Sequence, residues 1–104
     1  MKIQIKTDRN IEGHERLHSH VEQIVEGELS RFRDQITRIE VHLSDENSHK
    51  NGPDDKRCVM EVRLEGLKPE AVTHQAESLD QAVRGAAGKL ERVIESTLGR
   101  LRER

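Results

Sequence analysis

Aromatic residues are almost absent: the 104-residue chain has no Trp, no Tyr and a single Phe, Phe32. Any core must therefore be aliphatic, and readers of single-stranded nucleic acid that stack bases on several exposed rings are excluded. The lone Cys58 can form no intramolecular disulfide and has no second thiol with which to build a thiolate metal cage. A reducing compartment suits it. No apolar run approaches the roughly 20 residues that span a bilayer, and Met1 to Lys6 lacks the apolar stretch of a signal peptide. A soluble, cytoplasmic protein without membrane contact is expected.

Catalytic and cofactor signatures are missing too. The scattered Ser and Thr show no nucleophile elbow or paired-base spacing, and alternation turns Cys58 toward the core. Gly85, Gly88 and Gly99 fall inside a helical pattern, not between a strand and a helix, so they form no phosphate loop. No enzyme activity, cofactor, metal or small-molecule substrate is expected.

Charge is abundant, at 37% of residues against 32% hydrophobic. The apolar residues nevertheless recur at regular spacings, which favours order, and the length suits one domain spanning 1–104. Eighteen basic and twenty acidic side chains give a net charge of −2, unevenly spread. Residues 1–39 hold seven of each sign, residues 40–80 five basic and ten acidic, and residues 81–104 six basic and three acidic. An anionic partner is therefore sought first at the C-terminal segment.

Met1, Ile3 and Ile5 alternate with Lys2, Gln4 and Lys6, the period of a half-buried strand. From about Gly13, Leu17, Val21, Ile24, Val25, Glu28, Leu29 and Phe32 follow three- and four-residue spacings, predicting a helix of about five turns that Asn10 or Gly13 caps. Ile39, Val41 and Leu43 mark a second strand, Ser44 to Lys56 a long mobile loop, and Cys58 to Leu64 a third strand. A hairpin at Glu65 to Pro69 leads to a fourth, near Ala71 to Ala76.

Ser78 and Gln81 have the spacing of a capping box, from which a helix runs to the C-terminus. Its stripe is Leu79, Val83, Ala86, Leu90, Val93, Thr97 and Leu101, widened by Ile94 and Leu98. The order β-α-β-β-β-α predicts an α+β two-layer sandwich, with a four-stranded sheet and both helices on one face. Strands 1 and 2 should be parallel and strands 2 to 4 an antiparallel meander.

Four groups of side chains remain as candidates. His14 and His18, four apart on one helix face, invite a metal reading, but a site needs further ligands and a solvated face is simpler. His74 points to the core side of strand 4, as a hydrogen-bonded, semi-buried histidine more readily than as a ligand or pH switch. Arg84, Lys89 and Arg92 flank the helix 2 stripe, with Gly85 and Gly88 between them. Those glycines let either a phosphate backbone or helix 1, near Gly27, approach closely. Arg100, Arg102 and Arg104 make a basic helix end that also suits the helix dipole. On the open sheet face Lys2, Lys6, Arg38 and Arg63 interleave with Glu40, Glu61 and His42, a mixed solvated face.

Element order and length together resemble the short ribosome hibernation-promoting factors and ribosome-associated inhibitor proteins, also called the sigma-54 modulation protein family. Lys89-Leu90-Glu91-Arg92, Glu77, Leu79, Ala82, Val83 and the strand end Leu43-Ser44 are similar to that family's pattern. The chain is a divergent member: Asp80 stands where the family has a tyrosine, and Glu95, Ser96, Thr97 and Gly99 replace lysines.

The resemblance implies a stress or stationary-phase translation inhibitor. It would bind the small ribosomal subunit, occlude the messenger and transfer RNA channel, and contact ribosomal RNA phosphates through helix cations. That role is carried onto Lys89 and Arg92 by match, and onto Arg84 and the helix-end Arg100 by neighbourhood. The alternative is a non-ribosomal protein-interaction module with the same fold, and self-association through an edge strand is a further expectation.

Overall fold

The computed structural model describes residues 1–9, 11, 14–46 and 55–102. Its elements are β1 (Lys2–Thr7), α1 (His14–Leu29) with a 3-10 turn (Ser30–Phe32), β2 (Ile36–Asp45), β3 (Lys56–Leu64), β4 (Glu70–Ala76) and α2 (Leu79–Arg102). The strands lie in the order β1-β2-β3-β4, with β1 parallel to β2 and the other pairs antiparallel. This is the predicted α+β sandwich. The proposed caps Asn10 and Gly13 and most of the 44–56 loop lie outside the described residues, and β2 and β3 extend into both ends of that loop, pairing Asp45 with Lys56.

Alternation decides which way each strand side chain points. Ile39, Val41 and Leu43 pair across β2–β3 with Val62, Met60 and Cys58, and all six are buried. Against this face α1 sets Val21, Ile24, Val25 and Leu29, and α2 sets Ala82, Val83, Ala86, Ala87, Leu90 and Ile94. Each fully buried Leu, Ile, Val or Met favours folding by roughly 1.5–3 kcal/mol, so an aliphatic core suffices without rings. Phe32, at the end of α1, closes the cluster.

Two local signals act as expected. Ser78 Oγ accepts the Gln81 amide at 3.1 Å and starts α2. Gly66, at φ 77°, makes the β3–β4 turn that a side chain would strain.

The far end of α2 departs from its heptad. The predicted stripe through Val93, Thr97 and Leu101 leaves the core, with Leu101 42% exposed, while Ile94 is fully buried. A straight helix turns every 3.6 residues and drifts about 20° per seven-residue repeat, so a strict heptad cannot keep facing one sheet.

Candidate functional site

That drift creates the site. Past Leu90, α2 runs alongside edge strand β4 and turns polar side chains toward it. An open groove of about 440 Å³ results, lined by Glu70, Val72, Lys89, Arg92, Val93, Ser96, Thr97 and Arg100. Positions 89, 92, 93, 96, 97 and 100 share one helix face through three- and four-residue spacings. Three of the four predicted cations, Lys89, Arg92 and Arg100, therefore come together.

Their partners leave the charge available. Lys89 Nζ donates to the Thr73 carbonyl at 2.9 Å, which ties α2 to β4 without a carboxylate. Arg100 donates to Ser96 Oγ at 3.0 Å and Thr97 Oγ1 at 3.2 Å, two neutral hydroxyls that aim its guanidinium. Arg92 makes no ion pair among the described residues, and its Nη1 lies over Gly88, 4.0 Å from where a Cβ would sit. The one carboxylate in the groove, Glu70, accepts the Thr97 hydroxyl at 2.6 Å. Three cations against one carboxylate give the lining of this groove a net positive charge.

Arg84 lies elsewhere. It lines a furrow between the helices with Gln23, Ile24, Gly27 and Glu28, and its Nε is held 3.0–3.1 Å from both oxygens of Asp80. Asp80 in turn accepts His20 Nε2 at 2.6 Å. Hydrogen bonds from His20 and then Arg84 hold the Asp80 carboxyl below its usual range. At the other end of the helix pair, Arg31 donates to Glu95 at 2.7 Å and lies 3.6 Å from Glu91. The Glu95 pair chiefly raises its pKa.

Of the two glycines, Gly85 answers to a different neighbour than spacing suggested, while Gly88 faces Glu28 of α1. A Cβ on Gly85 would fall 2.1 Å from His74 Cδ2 and 2.3 Å from its Nε2, so the His74 ring lies flat against the helix backbone. Neither phosphate nor α1 approaches there. A Cβ on Gly88 would meet only Glu28 Oε1, at 3.9 Å, and Arg92 Nη1, and one on Gly27 would meet nothing within 4 Å. His74 does face the core side, but its place is set by packing on Gly85 and no hydrogen bond to the ring occurs among the described contacts.

His14 to His18 spells His-Glu-Arg-Leu-His, the H-E-x-x-H order of zinc hydrolases, which the two-histidine reading passed over. The rings stand edge to face with centroids 6.4 Å apart, and Thr7 Oγ1 lies 3.4 Å from His14 Nδ1. A zinc site needs a third protein ligand. Among the described residues no group of three His, Cys, Asp or Glu side chains could hold a metal.

Cys58 is fully buried, and burial pushes its thiol up to about 12, the opposite of an activated nucleophile. No described helix is long and apolar enough to cross a membrane. Sequence reasoning missed Ser96, Thr97 and Glu70. Thr97 was counted in the apolar stripe, and nothing in the sequence placed Glu70 opposite it.

A sequence model of the family described as Sigma 54 modulation protein / S30EA ribosomal protein matches residues 3–102. No curated protein matches the chain. Among solved structures, the Protein Y N-terminal domain of Thermus thermophilus is similar at TM-score 0.74 and 24% identity, over 93% of this chain and 99% of that one. A ribosomal subunit interface protein of Coxiella burnetii is similar at TM-score 0.73 and 18% identity, over 95% and 99%. At these identities the two structures speak for the fold.

Proposed function

The chain belongs to the Sigma 54 modulation protein / S30EA ribosomal protein family, and from that membership together with the α2 groove we propose a non-catalytic ribosome hibernation factor. It acts in the cytoplasm by docking on the small subunit and occluding the messenger and transfer RNA channel under stress or in stationary phase. Occlusion needs only a fitted body and anchoring contacts, so no group has to react.

The observation that carries this reading is the groove, where Lys89, Arg92 and Arg100 converge without carboxylate partners of their own. Backbone phosphates of ribosomal RNA suit such a groove, because each one neutralised releases counterions. Arg84 is a weaker contributor, since Asp80 already occupies it.

Co-sedimentation with small subunits across a salt series tests the proposal. Wild-type protein should pellet at low salt with a steep salt dependence, and Lys89→Gln/Arg92→Gln/Arg100→Gln should pellet far less. Failure of wild type to pellet even at low salt overturns it. A second reading, a protein-interaction module, is favoured by the internal neutralisation of Arg31, Arg33 and Arg84 by Glu95, Glu26 and Asp80. Under that reading a lysate pull-down would yield a non-ribosomal partner in place of ribosomal proteins.

A further inference from the structure

Strand register changes the meaning of the uncovered sheet face. Lys2, Arg38 and Arg63 stand abreast on β1, β2 and β3. Lys6 pairs with His42 in a second row, and Arg57 pairs with Ser44 and Gln75 in a third. Among the described residues Glu40 and Glu61, directly opposite each other, and Glu46, paired with Arg57, oppose them. Five cations against three carboxylates leave the described part of this face with an excess of two positive charges, in a chain whose net charge is −2. The helix layer balances instead: over residues 14–34 and 79–102 there are eight basic and eight acidic side chains.

Like charges abreast on a sheet disfavour folding. Lys2, Lys6 and Arg63 have no ion-pair partner among the described residues, while Arg38 reaches Glu40 at 2.6 Å and Arg57 reaches Glu46 at 3.2 Å. Among the described residues no Phe and no large exposed hydrophobic lies on the face, which argues against base stacking and a greasy protein interface. An excess of unpaired cations on a flat polar surface matches a sugar-phosphate backbone.

We propose that the open sheet face is a second RNA-backbone surface, anchored by Lys2, Lys6 and Arg63 with Arg38 and Arg57 beside them. It rests on the ribosomal reading above and adds a direction to it. The α2 groove opens on the helix side of the sheet and this face on the other, so one molecule neutralises RNA on two sides, as a plug in a cleft must.

The test is the salt dependence of co-sedimentation with small subunits, comparing wild type, Lys2→Gln/Lys6→Gln/Arg63→Gln and the charge-retaining Lys2→Arg/Lys6→Arg/Arg63→Lys. Each lost phosphate contact should flatten the log–log slope by roughly 0.7 to 0.9, so the glutamine triple should lose about 2 and the charge-retaining triple almost nothing. A glutamine triple with the wild-type slope overturns the sheet surface and leaves the groove standing. Equal loss in both triples means structural damage, and also overturns it. Cross-links from this face to ribosomal protein in place of RNA overturn the choice of occupant. Wild type that never pellets overturns the ribosomal function, and this surface with it.

Discussion

His74 and Gly85 form a matched pair, because the imidazole occupies the volume that any β-carbon at position 85 would need. Gly85→Ala gains up to about 1 kcal/mol of helix propensity but forces the ring or the helix to move, at a cost of about 1–3 kcal/mol. Urea denaturation should therefore show net loss for Gly85→Ala and recovery in Gly85→Ala/His74→Ala. Gly88→Ala, with ordinary contacts around it, should gain roughly 0.5–1 kcal/mol in the same assay.

Cys58 supplies a pH test. Its folded-state pKa of about 12 lies above the ordinary 9.0, so burial of the neutral thiol contributes stability that is complete below pH 9 and is lost as pH rises toward 12. Wild type should lose stability above pH 9 faster than Cys58→Ala, read as urea midpoints. A thiol reagent should label Cys58 only as fast as the fold opens.

At the scale of elements, α2 carries both the largest share of the core and the groove. Its start depends on Ser78, and Ser78→Ala should cost about 1 kcal/mol by leaving the Gln81 amide unpaired. One turn on, Asp80 binds α2 to α1 through His20 and neutralises Arg84. Its lowered pKa means that this contact contributes stability above the usual carboxylate range and is lost as pH falls through the lowered value. Asp80→Asn should leave Arg84 free for phosphate and steepen the salt slope of subunit binding by roughly 0.7 to 0.9. An unchanged slope would place Arg84 outside the interface.

Across the whole molecule, charge is sorted by surface in a way that net charge hides. The outer side of α1 is net acidic, with four glutamates and one arginine, whereas cations without carboxylate partners collect in the α2 groove and on the open sheet face. Association with an RNA particle should therefore be strongly salt-dependent even though the sequence pI is about 6.3. A chain of the same composition with its charges shuffled among exposed positions should fold, by circular dichroism, and fail to pellet with small subunits.

Periodicity by itself determined the elements: Ile39, Val41 and Leu43 could only be a strand with one buried face, and Val21, Ile24, Val25 and Leu29 only a helix stripe, because burial repeats with backbone geometry. The Lys89 to Arg92 run and the excess of arginine in the last helix were legible in the same way. Which cations meet was decided by the tertiary structure alone, since Thr97, Glu70 and Lys89 become neighbours only when α2 packs along β4, and Lys2, Arg38 and Arg63 only when three strands find their register. The same packing set Arg84 apart from the groove and gave Gly85 to His74. Side-chain partnership is a property of distances between segments far apart in the chain, and a one-dimensional pattern records only spacing along it.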